Sequence, residues 1–262
     1  MINTVSPKRG CFLQVQPQYD QREKWEALAE REGLTFEALE LSAPPALNES
    51  GRFENCAEWY RASGRTTSVH GAFIDVNPAS GDPLFRTVSQ RRCRESCETA
   101  LAVGARNVIF HSSCFPFLRG VYLDNWAGIC ACFYEELAGE YGLNLFIENS
   151  PDVDPGPIRE LMRRISDPRI GVCLDLGHVN YSRVKAEQWI DCLGDRIGYL
   201  HLSDNKGQFD DHLPLGQGNC DLTAADLLWR EKGRSIPVTL EVGGLEGVRI
   251  SLDHLRKHGY FE

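Results

Sequence analysis

The sequence predicts an α/β protein of the (β/α)8 type, in which eight parallel strands alternate with helices around a closed barrel. Short apolar runs alternate with longer amphipathic stretches eight times along the 262 residues, a usual length for such a barrel. In residues 171–180, Gly-Val-Cys-Leu-Asp-Leu-Gly-His-Val-Asn, an apolar run delivers Asp175 and then His178 at its carboxyl end. A doubly wound open sheet is the alternative, but no Gly-rich phosphate turn follows the first strand.

The predicted strands are short apolar or alternating runs. Pro17 closes the first strand, and a loop at Pro44 and Pro45 follows the alternating second strand. The sixth strand lies between Pro168 and Gly177 and is too short to be a helix. In order, the strands are residues 12–15, 36–41, 69–70, 108–110, 143–147, 170–174, 197–202 and 238–240.

The predicted helices occupy the amphipathic stretches between these strands. Trp25 and Leu28 lie at helical spacing in the first helix, and Gly33 stops it. Gly104 and Gly142 end the third and fourth helices. In order, the helices are residues 20–31, 56–62, 84–103, 123–141, 158–165, 186–192, 222–232 and 248–257.

The composition predicts one domain over residues 1–262, because no linker, low-complexity segment or charge block divides the chain. The N-terminus lacks a signal peptide pattern, and no apolar run approaches membrane-spanning length, so we expect a soluble cytoplasmic protein without a membrane partner. The ten cysteines form no Cys-x-x-Cys pair, which disfavours a structural zinc cluster and fits a reduced chain. The net charge of -9 disfavours polyanionic partners such as nucleic acids.

Carboxylate and imidazole side chains recur at the carboxyl ends of the predicted strands or in the loops that follow. Five of the seven histidines belong to this set, while His254 and His258 fall on the last helix and are predicted to face solvent. Singly, each residue could be a core histidine or a helix cap, but together they predict one shared site at the barrel mouth. The set is His70, His111, Glu148, Asp175, His178, His201, Asp210, His212 and Glu241.

A divalent cation would explain why acidic and imidazole groups meet in an apolar pocket. Glu148, Asp175, His201 and Glu241 would form an oxygen-rich shell with one nitrogen, which suits Mn²⁺, Mg²⁺ or Co²⁺. Additional histidine ligands would shift the preference towards Zn²⁺. We expect Mn²⁺, with Zn²⁺, Co²⁺ and Mg²⁺ as the alternatives.

Three stretches give the chain a family resemblance. They are Leu-Phe-Ile-Glu-Asn-Ser at 145–150, Cys-Leu-Asp-Leu-Gly-His at 173–178, and His-Leu-Ser-Asp-Asn-Lys-Gly at 201–207 with Asp-His-Leu-Pro-Leu-Gly-Gln-Gly at 211–218. With these motifs the chain resembles the xylose isomerase-like TIM barrels, which include sugar isomerases and epimerases and family-2 apurinic endonucleases. The last block is most similar to the sugar phosphate isomerase/epimerase branch.

The resemblance implies roles for the shared positions. Glu148, Asp175, His201 and Glu241 would bind one metal ion, and Glu148 and Glu241 would also move the substrate proton. The endonuclease branch uses nine ligands for three zinc ions, and the chain matches all nine by adding His70, His111, His178, Asp210 and His212. Ligand identity therefore leaves both branches open.

The preferred function is a metal-dependent sugar or sugar-phosphate isomerase or epimerase, with a small-molecule substrate and proton transfer through an enediolate. Lys206 and Arg119 are candidate contacts for a substrate phosphate or carboxylate. An endonuclease is the first alternative, but the 203–221 loop has one Lys against four Asp, where phosphate binding needs basic residues. A carbohydrate sensor without turnover is the second alternative, and a homo-oligomer is compatible with any of the three.

Overall fold

The computed structural model of the protein describes residues 12–182 and 184–262. Eight parallel strands pair in sequence order and close into a barrel, because β8 pairs with β1. The (β/α)8 prediction is therefore confirmed. The strands are β1 Leu13–Val15, β2 Thr35–Ala38, β3 Thr66–His70, β4 Asn107–His111, β5 Asn144–Glu148, β6 Ile170–Asp175, β7 Ile197–Leu202 and β8 Val238–Leu240.

Helices on the outside of the barrel connect the strands. None of them, within the two described segments, is both long and apolar enough to cross a membrane. The helices are α1 Arg22–Glu32, α2 Pro44–Asn48, α3 Arg52–Ser63, α4 Pro83–Val103, α5 Val121–Tyr141, α6 Gly156–Met162, α7 Leu176–Tyr181, α8 Ala186–Leu193, α9 Thr223–Glu231 and α10 Gly244–His258.

Three local predictions were wrong. The second strand ends at Ala38 rather than at 41, because a 3-10 turn over Glu40–Ser42 follows it. The predicted loop at residues 44 and 45 instead begins the short helix α2. Helix α7 was not predicted after the sixth strand; the Asp175 side chain accepts a hydrogen bond from the His178 backbone N–H and caps this helix.

Two apolar regions hold the barrel together. The larger one fills the space between strands and helices and includes three fully buried tryptophans, Trp25, Trp189 and Trp229. All nine cysteines of the described residues are free thiols, most of them buried, which fits cysteine as a core residue. The remaining cysteine, Cys11, lies outside the described part of the chain.

The second apolar region is a small cluster of Ile109, Cys173 and Tyr199, with Phe146 packed against it. It is separate from the main core and is formed by strands β4 to β7. Successive side chains of a strand alternate between its faces, so the residues two positions further along point to the same side. Those residues are His111, Glu148, Asp175 and His201. The alternation of side chains along the strands thus places these four polar residues next to the apolar cluster, on its side towards the carboxyl ends of the strands.

Candidate metal centre

Four side chains from neighbouring strands meet at the carboxyl end of the barrel. Glu148, Asp175 and His201 end or nearly end β5, β6 and β7, and Glu241 follows β8 directly. One ligand atom from each of the four lies within 4.8 Å of the others. His201 Nδ1 is 3.1 Å from Glu241 Oε2 and 3.4 Å from Glu148 Oε2. The structure therefore brings together the four residues expected to form the metal shell.

Several polar atoms of this cluster lack hydrogen-bond partners within the protein. Both carboxylate oxygens of Glu148, Asp175 Oδ2 and the Nδ1 atoms of His178 and His201 are buried without a hydrogen bond of acceptable geometry. His178 Nδ1 does lie 3.0 Å from Glu148 Oε1, so the contact is close although its geometry is poor. Buried polar atoms are normally satisfied, and these converge on one region. These oxygens and nitrogens come from two carboxylates and two imidazoles, and such a donor set fits a divalent cation.

Burial and neighbouring groups shift the pKa values of the three carboxylates in different directions. Burial raises the pKa of Asp175 to about 7. Burial also opposes ionisation of Glu148, but the surrounding imidazoles of His111, His201 and His178 outweigh burial and hold the pKa of Glu148 well below its usual value. For Glu241, burial is likewise outweighed by His201, and the pKa is lowered. The two glutamates are therefore ionised at neutral pH.

Three further histidines surround Glu148. His70 Nε2 lies 3.5 Å and His111 Nε2 lies 3.7 Å from Glu148 Oε2, while His178 contacts the other carboxylate oxygen. Burial lowers the pKa of His111 to about 4, which leaves its imidazole neutral at pH 7. His70, His111 and Glu148 form a second group whose ligand atoms lie close enough to hold a cation.

The remaining two predicted residues complete the outer side of the cluster. Asp210 Oδ2 lies 3.1 Å from His178 Nε2 and 3.1 Å from His212 Nε2. Burial opposes the charge on His212, but the hydrogen bond to Asp210 outweighs burial and raises the pKa of His212 to about 10. Burial likewise opposes the charge on Asp210, but the hydrogen bonds from His178 and His212 outweigh it and lower the pKa of Asp210. His212 Nδ1 also donates to the Glu241 carbonyl at 2.9 Å. All nine residues selected from the sequence thus lie in one connected cluster.

A cavity of about 320 Å³ opens onto this cluster. Its volume suits a small ligand. A larger groove of about 460 Å³ lies against α2, α3 and α4, away from the carboxylate cluster, so its size does not make it the better site. The smaller cavity is lined by Gln16, Gln18, Leu39, His70, Phe73, His111, Glu148, His178, Asp210, His212, Glu241, Val242 and Gly243.

The two predicted substrate contacts do not line this cavity. Lys206 is exposed. The Arg119 side chain is 63% exposed, and its Nη2 lies 3.9 Å from Asp154 Oδ2. A substrate-binding role for either residue stays a prediction.

One buried carboxylate shapes the loop that carries Asp210 and His212. Asp204 accepts hydrogen bonds from the backbone N–H groups of four residues that follow it in the chain. These donors are Asn205, Gly216, Gly218 and Cys220. Four backbone bonds to one carboxylate fold the loop back on itself. These bonds give Asp204, Gly216 and Gly218 of the 201–218 motif a structural role.

The same loop corrects one prediction about the last helix. His258 is exposed as expected, but His254 is partly buried. A Cβ atom at Gly216 would lie 2.3 Å from His254 Nδ1, so the loop packs directly against that ring. Helix periodicity could not show this contact, because it joins a loop to a distant helix.

We expect Gly218→Ala to lower the free energy of unfolding by about 1–3 kcal/mol, the usual cost of overpacking. A Cβ atom there would lie 2.2 Å from both Asp204 Oδ1 and the Asn205 carbonyl oxygen, and the backbone cannot yield easily. Urea unfolding measures the effect. Gly81→Ala is the matched control, because a Cβ atom at Gly81 would meet no atom beyond its chain neighbours within 4 Å. Equal stability of the two variants would contradict the prediction.

Sequence reasoning missed two residues of this site, Glu37 and Gln16. Glu37 is fully buried on β2, and Gln16 donates hydrogen bonds to both Glu37 and Glu241. The available signal was a carboxylate in the interior of a short strand, Thr-Phe-Glu-Ala, because an acidic side chain is rarely buried without a partner.

Comparison with known proteins agrees with this architecture. A family model for the xylose isomerase-like TIM barrel matches residues 25–258. Over 163 residues the chain is 30% identical to the uncharacterized protein MJ1311 of Methanocaldococcus jannaschii, a match that covers 58% of this chain and 55% of that protein. The match to this curated relative therefore spans only about half of its length.

Two solved structures illustrate the similarity in fold. The TTHB071 protein from Thermus thermophilus, soaked with ZnCl2, is 24% identical, with 94% of this chain and 97% of that one covered at a TM-score of 0.74. A D-tagatose 3-epimerase-like protein is 20% identical, with 94% and 88% covered at a TM-score of 0.66. The family model, the closed barrel and the strand-end cluster agree with one another. The chain belongs to the xylose isomerase-like TIM barrel family.

Proposed function

We propose that this protein is a divalent-metal-dependent isomerase or epimerase of sugars or sugar phosphates. The observation that carries the proposal is the pair of buried, ionised glutamates, Glu148 and Glu241, which line one small cavity beside Asp175 and His201. The similarity in fold to a D-tagatose 3-epimerase-like protein supports the same class of substrate.

The chain would use the two glutamates as a proton-transfer pair. One carboxylate removes the proton α to the substrate carbonyl and leaves an enediolate. The other glutamate, which takes up a proton from solvent before this step, delivers it to the opposite face for epimerisation or to the next carbon for isomerisation, and the first glutamate releases the abstracted proton to solvent. A bound cation would polarise the substrate carbonyl as a Lewis acid.

Neighbouring side chains would hold both glutamates in position. Gln16 Nε2 donates to Glu241 Oε1 at 3.0 Å, and His178 Nδ1 lies 3.0 Å from Glu148 Oε1. Leu39 and Phe73 give the cavity wall an apolar part that would exclude water from the reacting carbon. The chain thus provides bases, orientation and a partly dry cavity.

Mn²⁺ is the proposed ion, because Glu148, Asp175, Glu241 and His201 offer mainly oxygen ligands. Participation of the surrounding histidines would favour Zn²⁺. The TTHB071 structure was obtained after soaking with ZnCl2, which makes zinc the first alternative to test.

The direct test is a screen of ketoses, aldoses and their phosphates in D2O with Mn²⁺ or Zn²⁺ supplied. We expect deuterium to enter the carbon α to the carbonyl of at least one substrate, because the abstracted proton exchanges with solvent. Proton NMR measures this exchange, and a chelator-treated sample is the control. Absence of exchange with every sugar, while metal binding is intact, would refute turnover and favour the sensor.

An apurinic endonuclease with a multinuclear zinc site is the second candidate. The specific observation in its favour is the outer part of the cluster, in which Asp210 lies between His178 and His212 while His70 and His111 adjoin Glu148. Such a ligand set could hold more than one zinc ion. The surrounding charge argues against it, because the 203–221 loop is acidic and duplex DNA requires Lys and Arg contacts.

We therefore predict no useful cleavage of abasic DNA. A repair enzyme must flip the damaged nucleotide and hold the opened duplex with wedge residues on basic loops. Phe73 is the nearest candidate wedge in the cavity wall, but Asp75 follows it where a cation would serve better. The measurement is a nicking assay on an abasic duplex at low salt with zinc supplied. Multiple turnovers that are lost in His111→Ala would put the endonuclease first.

A further inference from the structure

Glu37 on β2 is a fully buried carboxylate beneath the candidate metal centre. Its Oε2 accepts hydrogen bonds from Tyr199 Oη at 2.7 Å, Thr239 Oγ1 at 2.7 Å and His201 Nε2 at 3.0 Å. Its Oε1 accepts a fourth from Gln16 Nε2 at 2.9 Å. Burial of a carboxylate is costly unless hydrogen-bond donors surround it. The four donors therefore allow Glu37 to remain charged in the barrel interior.

The hydrogen bond from His201 to Glu37 determines how the imidazole faces the centre. Because Nε2 carries the proton that points at Glu37, Nδ1 is left as the nitrogen that faces Glu148 and Glu241. An imidazole that binds a cation is neutral: it donates a proton from one nitrogen and offers the lone pair of the other. Glu37 therefore selects both the rotation of the His201 ring and the nitrogen available to a cation.

The same carboxylate is connected to a second residue of the centre. Gln16 Nε2 lies 2.9 Å from Glu37 Oε1 and 3.0 Å from Glu241 Oε1, so one amide bridges the two carboxylates. The pairing register of β2 against β3 also shifts between Phe36 and Glu37, a type of irregularity that re-aims side chains. The buried Glu37 carboxylate thus orients two members of the centre, His201 by a direct hydrogen bond and Glu241 through Gln16.

We propose that Glu37 is a positioning residue, which holds His201 with Nδ1 directed at the metal centre and, through Gln16, orients Glu241. Carboxylates that accept the second N–H of a metal-binding histidine fix its tautomer and raise its basicity as a ligand. The inference rests on the metal centre of the proposed function, but not on the substrate or the reaction.

The first test compares metal affinity between the unaltered protein and Glu37→Gln, by competition with a chromophoric chelator for Zn²⁺ and Mn²⁺. We expect the variant to bind about 10–100-fold more weakly, the usual effect of removing such a partner. Glu40→Gln is the matched control, because Glu40 also accepts two hydrogen bonds, but these come from Tyr19 N and Arg52, which lie outside the centre. We expect its affinity to equal that of the unaltered protein.

The second test uses a signal that a merely structural role would not change, and its first measurement is made on the unaltered protein. In the zinc-loaded protein labelled with ¹⁵N-histidine, we expect His201 to carry its proton on Nε2, with a slowly exchanging low-field resonance. In Glu37→Gln this resonance should move upfield.

Either a proton on Nδ1 of His201 in the unaltered protein, or unchanged metal affinity in Glu37→Gln, would overturn the proposal. Absence of sugar turnover with the expected affinities would overturn only the proposed reaction, so the two failures are distinguishable.

Discussion

Replacement of Glu148 by Gln is expected to reduce metal-dependent exchange of the substrate α proton by at least about 10³-fold, since proton transfer alone contributes about 10²–10⁴-fold. Glu148 is buried, and its two oxygens face His70, His178 and His201. The amide of Gln has nearly the same shape, but it is neither a base nor an anionic ligand. The loss should therefore come from chemistry rather than from unfolding.

Deuterium exchange measured by NMR, together with thermal unfolding, separates these causes. Glu136→Gln is the control, because Glu136 is exposed and pairs with Arg94 on the outside of the barrel. We expect that variant to retain full exchange. Unaltered turnover in Glu148→Gln would show that the catalytic assignment is wrong.

The second large effect is expected for Asp175→Asn, which should lower metal affinity by about 10²-fold or more. Loss of a residue that only orients a metal ligand costs up to about 10²-fold, and loss of a ligand itself should cost at least as much. The two oxygens of Asp175 have different surroundings. Oδ1 accepts the His178 backbone N–H at 2.6 Å and caps α7, whereas Oδ2 has no hydrogen-bond partner and lies 4.0 Å from His201 Nδ1. Asn keeps an oxygen for the cap but loses the negative charge that a cation requires.

Elemental analysis after dialysis measures the metal content of this variant, and activity should fall with it. Asp82→Asn is a matched control, because Asp82 caps α4 by accepting from Leu84 N and Phe85 N, away from the centre. We expect full metal occupancy in Asp82→Asn. Full occupancy in Asp175→Asn would contradict its assignment as a ligand.

The architecture was predictable because its signals are local. Strand length, apolar runs and the glycines that end helices depend on neighbouring residues only, so eight strand–helix units could be read in order. The boundaries that were wrong depend on local features that apolar periodicity does not show: a 3-10 turn follows the early end of β2, and a side-chain hydrogen bond begins the extra helix α7. The Asp175 cap of α7 is this bond.

The candidate site was predictable for a similar reason. In a parallel barrel, the carboxyl ends of all strands open at one face, so polar residues at strand ends must meet once the strands are counted. Glu148, Asp175 and His201 illustrate this, since each ends or nearly ends a strand and all three meet in the structure.

By itself, then, the sequence determined the strand order, the face of the barrel that carries the candidate site and the nine polar residues that meet there. Only the tertiary structure showed that Glu37 contacts His201, 164 residues further along the chain, and that Lys206 and Arg119 do not line the cavity. The physical reason is closure of the barrel: side chains from distant strands share its interior, and strand periodicity specifies which face a residue occupies but not which residue it meets across the barrel.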